Sequence, residues 1–306
     1  MFRRRSCVMY WKRKYRIRFP DLGLELNNLD DEKDALTINF EINKDITQES
    51  NKSKVTIYNL SQETISKIEK ADTKVEIYLG YRDEGGAIHA FSGSVIESVT
   101  KDDGKDVTTE LTLSDGQVAL RDTVVSLNFA EGTSAMVIVQ TLANEMGLPI
   151  IFGEGVNFQS YPDGYSCVGK AADAMTEVCK ANGLTWSIQN EIITIILNGG
   201  VTQNKGLVFS ASSGLIGSPE RIVKSRPKED KTPPKRKRKQ QAKKEKPEKK
   251  AGWKIKVLLS PSLNAGDAVK LESRLKSGWF RVESIRHSGS STSGDWTSEI
   301  ELVEGL

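Results

Sequence analysis

The sequence predicts a mainly β protein of the α+β class, with two small antiparallel β-barrel regions flanking an inserted α/β unit. Three observations predict this. Apolar and polar residues alternate with period two through the first 120 positions and again after residue 250. Between these regions, two segments of helical periodicity stop on the same dipeptide, Gly147-Leu148 and Gly183-Leu184, and each runs into a strand. Residues 224–250 carry 14 Lys/Arg against 4 Asp/Glu and no apolar period, so they bury no surface and belong to neither pattern. The expected boundaries are 1–122 for the first β region, 123–200 for the insert and 201–306 for the second β region, with a mobile basic loop at 225–251.

Taken in order, residues 15–26 alternate as a strand, with Tyr15, Ile17 and Phe19 on one face, before Pro20 and Gly23 bend the chain. Leu36, Ile38, Phe40 and Ile42 mark a second strand, and the polar residues 43–51 a turn. Residues 54–60 form a third strand, after which Ser61 caps a short helix carrying Ile65 and Ile68. A strand at 75–79 and a turn at 83–86 lead to a hairpin of residues 91–100 and 107–114 around Asp102-Asp103-Gly104. That makes about six strands and one short helix.

In the insert, a helix over 133–146, capped by Thr133 or Ser134, is expected to turn Met136, Val137, Val139, Leu142, Ala143 and Met146 inward. A second helix over 169–182 buries Ala171, Ala174, Met175 and Val178. Residues 184–188 and 192–196 then pair as a tight hairpin across Gln189-Asn190-Glu191. The two helix-Gly-Leu-strand pieces hint at a duplicated half-motif. Extended structure resumes over 210–223, broken at Gly214, Gly217 and Pro219. Strands follow the basic tract at 253–260, 268–271, 278–287 and 295–303.

Composition excludes several classes of function. No run of 18 apolar residues exists to span a membrane. The basic start, MFRRRSCVMYWKRKYRIRF, lacks the apolar stretch of a secretory signal, so assembly in a reducing cytoplasm is expected. Cys7, Cys167 and Cys179 are too few and too scattered for a disulfide framework or a zinc knuckle. The net charge of +3 conceals an asymmetry, because the first 18 residues carry eight Lys/Arg and the tract a further excess, leaving a body of about −15. Such a body repels DNA, whereas a nucleic-acid enzyme usually shows the opposite sign.

No enzyme signature appears. His89 and His287 stand almost two hundred positions apart, without a Cys/His/Asp/Glu cluster of ligand spacing, and read as structural histidines. No P-loop, dinucleotide fingerprint or nucleophile elbow occurs. Asp102-Asp103 and Asp30-Asp31-Glu32 read as solvated turn carboxylates, and Cys179 as a small buried apolar residue. No cofactor, metal or catalytic residue is therefore expected. The sharpest local feature is the tract itself, where Lys235, Arg236, Lys237, Arg238, Lys239, Lys243 and Lys244 are candidate contacts to an anionic partner. It lacks the interleaved aromatics of a single-strand binder. The basic N-terminal stretch, Arg3-Arg4-Arg5 with Lys12-Arg13-Lys14, reads either as an arm docking on an acidic neighbouring subunit or as a frayed end.

The order of parts resembles the baseplate hub, or tail-tip hub, proteins of long-tailed bacteriophages and related contractile injection machines. The resemblance rests on FSGSVIESVTKDDGKDVTTELTLSDG, on EGTSAMVIVQTLANEMGLPI and KAADAMTEVCKANGLTWSIQNEIITII, and on GLIGSPERI with LSPSLNAGDAVKLES and GWFRVESIRHSGS. It covers about residue 14 to the end, and the basic tract departs from it. It implies a non-enzymatic homotrimer in the virion tail, assembled in the host bacterial cytoplasm. The two β regions would resemble tail-tube subunits, so three chains would present six barrels as a pseudo-sixfold ring. That ring would adapt a hexameric tube, or tube-initiator protein, to a trimeric spike, contact other baseplate proteins and let DNA pass. An acidic lumen suits that passage. Subunit contacts are expected from residues 91–114 and from the strands near Trp253 and Gly278, and no segment is left over for a wall-cleaving domain. Two rivals remain: a nucleic-acid- or envelope-binding protein acting through 235–250, and a wall hydrolase hidden in the acidic body.

Overall fold

A computed structural model of the 306-residue chain describes residues 12–29, 35–47, 50–70, 72–82, 86–224 and 250–304. The first region opens with β1 (Arg13–Phe19), a single 3-10 turn at Pro20–Leu22 and β2 (Leu24–Asn27). Pro20 starts the turn, and Gly23 ends it at φ +60, a left-handed conformation that favours glycine. The predicted bend is thus a hairpin, with Arg16 opposite Asn27 and Phe19 opposite Leu24. β3 (Ile38–Asp45), β4 (Lys52–Tyr58), β5 (Lys74–Tyr81), β6 (Gly86–Asp102) and β7 (Val107–Ser114) follow. Between β4 and β5, α1 (Gln62–Ile68) is capped as expected, its Ser61 hydroxyl accepting from the Thr64 N–H at 3.2 Å. The alternation has the predicted parity: Tyr15, Ile17, Phe19, Ile38, Phe40, Ile42, Val55 and Ile57 are buried in one core with Val75, Ile77 and Leu79. Each such side chain contributes roughly 1.5–3 kcal/mol by leaving water.

The middle of the chain contains α2 (Gln117–Asp122), β8 (Val124–Phe129), β9 (Thr133–Ser134), α3 (Ala135–Glu145), β10 (Ile150–Phe152), β11 (Ser160–Tyr161), β12 (Tyr165–Lys170), α4 (Ala171–Ala181), β13 (Leu184–Gln189) and β14 (Ile192–Leu197). Ser134 is the cap of α3, accepting from the Met136 N–H. Gly147 and Gly183 follow the two helices at φ +68 and +69, as the repeated dipeptide predicts. One part of the helical stripe differs from expectation. Met136 and Val137 are 40% and 49% exposed, and Ile138 is fully buried in their place. The helix starts two residues later than predicted, and from Ala135 the inward set is Ala135, Ile138, Val139, Leu142 and Ala143. The α4 stripe is as predicted, with Cys179 added. The pieces after the two helices flank β14 from opposite sides, β10 parallel to it and β13 antiparallel. The β8–β12 and β9–β11 pairs were not anticipated.

The last part holds β15 (Lys205–Ser210), β16 (Leu215–Lys224), β17 (Lys250–Leu258), β18 (Ala268–Glu272), β19 (Ser277–Ser290) and β20 (Trp296–Val303). Their apolar faces form a separate core that includes Phe209, Ile255, Val257, Phe280, Val282, Ile285, Ile300 and Leu302. The two β regions do not stand apart. β19 pairs antiparallel with β3, from Ser284 opposite Asp45 to Ser290 opposite Asn39. The result is a 13-stranded sheet with the path β16-β17-β20-β19-β3-β4-β7-β6-β5-β1-β2, and with β15 and β18 attached beside β19. The architecture is mainly β with large antiparallel sheets, and β15–β18 and β10–β14 are its parallel pairs.

Candidate functional site

Lys235, Arg236, Lys237, Arg238, Lys239, Lys243 and Lys244 lie outside the described residues, as do Asp30-Asp31-Glu32 and Arg3-Arg4-Arg5. What is placed is the point where the tract leaves and returns, at the open end of the β16–β17 hairpin where Lys224 pairs with Lys250. The other candidates take their structural readings. Asp102 accepts from the Gly104 N–H, and Asp103 from the N–H groups of Lys105 and Asp106, which holds the Asp103 carboxyl below its ordinary range. His89 bonds Ser92 and packs edge-on against Tyr78. Cys179 is buried, which pushes its thiol up to about 12 and leaves it unreactive. Among the described residues, no group of three His, Cys, Asp or Glu is placed to hold a metal ion.

The structure instead gathers polar side chains that the sequence leaves far apart, at the point where the two β regions and the insert meet. Lys44 is the last inward residue of β3. The parity that buries Ile38, Phe40 and Ile42 also buries its ammonium, at 2% exposure. Its Nζ donates to Asn264 Oδ1 at 2.9 Å, in the loop before β18. Asp115 follows β7 and is equally buried. Its two carboxylate oxygens accept the N–H groups of Asn190 and Glu191, the turn between β13 and β14. Both turn residues have positive φ, +55 and +58, so their N–H groups point the same way and form a nest for an anion.

The turn is held from the third side as well. Gln189 donates to the Ala265 carbonyl and accepts from the Ala265 N–H, both at 2.9 Å, and Asn190 Nδ2 donates to Asn264 Oδ1. Asp267 closes that loop by accepting from Thr202 Oγ1 and the Asn264 N–H. Gly116, at φ +66, lets the chain after Asp115 approach Ile188, where an added Cβ would stand 2.6 Å from Ile188 Cγ2. His287 lies on β19 opposite Ile42, fully buried, with Nδ1 against the Ser298 hydroxyl.

Burial dominates the electrostatics. It lowers Lys44 to about 8, against the attraction of Asp115 and Asp267. It raises Asp115 to about 6, against the two turn N–H groups and Lys44. Burial likewise raises Asp267, and with Lys44 it drives His287 well below its ordinary value, so that imidazole is neutral. No substrate-sized cleft opens onto these groups. His287 does stand beside the Ser298 hydroxyl, but both are fully buried, out of reach of a substrate. The arrangement is a joint. A buried ion network adds little net stability, but it penalises any geometry that separates its members, and so fixes orientation.

Sequence reading missed this joint because it placed Lys44 in a polar turn and gave Asp115, just past the strand over 107–114, no role. The parity of β3 was the available signal for Lys44. For Asp115 the signal was Gly116, a glycine that follows a carboxylate directly and leads into a helix.

Comparisons with known proteins point in one direction. The family model described as "Baseplate hub gp41" matches residues 23–222, about two-thirds of the chain. No curated protein matches by sequence. Among solved structures, the 43 kDa tail protein of prophage MuSo2 from Shewanella oneidensis is similar at 10% identity, with 96% of this chain and 98% of that one covered and a TM-score of 0.65. The tail protein from Neisseria meningitidis MC58 is similar at 11% identity, with 96% and 97% covered and a TM-score of 0.63. A component of the Escherichia coli type VI secretion system, itself described as similar to the T4 tail proteins gp27 and gp5, aligns at 9% identity over 90% of this chain and 76% of that one, with a TM-score of 0.57. At such identities these structures share the fold.

Proposed function

The chain belongs to the baseplate hub gp41 family of phage tail proteins, and from that premise we propose that it is the symmetry-adapting subunit of a tail baseplate. Three copies form a ring, and each contributes two β regions, so six β regions surround a central channel. The ring meets a hexameric tail tube, or its initiator, on one side and a trimeric spike on the other. DNA passes through it, and assembly takes place in the host cytoplasm. The units are residues 1–122, 123–200 and 201–306, and three apolar cores support this, the first of which also takes in Leu259 and Trp296. The role is structural, with no catalysis, as befits a family and structural neighbours that are themselves tail components.

The observation that carries this reading is the β3–β19 ladder. It sets the two β regions of one chain side by side in a single sheet, which is the geometry that a six-module ring from three chains requires. The polar joint supports it from the other side, because an adaptor needs its insert at a fixed angle to both modules. The test is the solution mass by light scattering. The reading expects three times the 33.9 kDa of one chain, and a single-chain mass at every concentration tried overturns it.

A further inference from the structure

Where the first β region meets the insert, a groove of about 510 Å³ runs between the start of β5, α2 and the C-terminal end of α3. Its walls carry four carboxylates, Asp72, Asp122, Glu145 and Glu191, against one cation, Lys74. Arg121 spans Asp72 and Asp122, at 3.4 and 2.7 Å. Among the described residues no cation pairs with Glu145 or Glu191. Glu145 is the last residue of α3, so the negative end of the helix dipole also faces the groove. Apolar surface lies between these charges, with Val118 38% and Val124 71% exposed.

The chain itself contains a segment of the opposite character. Residues 1–11, outside the described residues, combine Arg3-Arg4-Arg5 with Phe2, Val8, Met9, Tyr10 and Trp11 and hold no acidic residue. We infer that this segment of one copy docks in the groove of a neighbouring copy. The inference rests on the ring reading above and names a contact that would hold the ring together. The choice of a neighbour follows from direction. β1 runs antiparallel to β5 with Arg13 opposite Tyr81, whereas Lys74 of the groove is at the far end of β5. The Arg13 guanidinium donates to the carbonyls of Ser290, Ser293 and Gly294, which fixes where the chain enters β1. The first described residues of β1 therefore lie at the end of β5 opposite the chain's own groove, and residues 1–11 start from there. To return they would have to reverse and cover roughly 23 Å of β5 at about 3.3 Å per residue. Eleven residues extend to at most about 36–40 Å, so a return to the chain's own groove would use more than half of that reach along β5 alone.

The test mixes full-length chains grown in natural and heavy nitrogen, assembled together and treated with a thiol-to-amine cross-linker. Mass spectrometry then reads Cys7 of the segment joined to Lys74 of the groove, and the mass of the same sample is measured by light scattering. The expected result is a Cys7–Lys74 link between differently labelled copies. Glu145→Gln with Glu191→Gln should lower its yield about fivefold, the effect of losing two partly exposed charge pairs. A three-chain sample with links only within one copy, with no such link, or with links indifferent to those substitutions overturns the docking and leaves the ring standing. A single-chain mass overturns both.

Discussion

Two seams hold this molecule together, and they are built from different materials. The seam between the β regions is a backbone ladder, β3 against β19, in which almost any side chains serve as long as the apolar parity is kept. The seam between the insert and the β regions is made largely by a few side chains: Asp115 under the Asn190-Glu191 turn, Gln189 on Ala265, and Asn190 on Asn264. A ladder distributes its strength over many equivalent bonds. A buried polar joint concentrates specificity in two or three groups and fails when one of them is removed. The ladder should therefore tolerate single changes that the joint does not.

The largest expected effect is at Asp115. Asp115→Ala leaves two turn N–H groups without their acceptor and removes a charge that attracts the Lys44 ammonium, at a cost of about 3–5 kcal/mol in urea denaturation. The insert should also unfold separately from the β regions, visible as two transitions where the parent shows one. Gly116→Ala comes next, at about 2–4 kcal/mol, because the new Cβ meets Ile188 while the backbone stays left-handed.

The pH dependence separates the two charges of the joint. The Asp115 carboxyl is raised from 3.8 to about 6, so its contribution to folding is fully present below pH 3.8 and is lost as pH rises through 6. Lys44 is lowered from 10.5 to about 8, so its contribution is present above pH 10.5 and is lost as pH falls through 8. The Asp115 share of stability should fall from pH 4 to 6, opposed by His287, whose depressed value favours folding as pH rises toward 6.5, and the Lys44 share should rise above 8. Asp115→Asn should flatten the acid limb and Lys44→Met the alkaline one. The smallest effect belongs to the ladder. Glu41→Ala removes the exposed Arg286–Glu41 pair across β3 and β19 and should cost less than about 1 kcal/mol. A loss equal to that of Asp115→Ala would erase the distinction between the seams.

Much of the fold was legible because its signals are local. The parity of Tyr15, Ile17 and Phe19, the Ser61 cap, and Gly147 and Gly183 after their helices each act within a few residues, and the structure follows them. Two kinds of feature were not legible. Pairings such as β8 with β12 and β3 with β19 join segments separated in sequence, and nothing in either strand specifies its distant partner. The α3 stripe was misassigned at Met136 and Val137 because the five positions from Ala135 to Val139 are all apolar, so hydrophobicity alone does not fix the inward face. The joint was hidden for a related reason. Lys44 carries charge, so it read as a turn residue, and nothing beside Asp115 in the sequence marks the neighbours that bury it. The candidates chosen for charge alone, Lys235 to Lys244, fall outside the described residues.

The central claim is that two β regions, held side by side in each chain, close into a ring of six around a channel. Electron microscopy of the purified protein viewed end-on tests it most directly. Three-fold averages with six β modules of near-equal radius around an open lumen are expected. Averages that show an isolated chain, a two-fold dimer or a filled centre would contradict it.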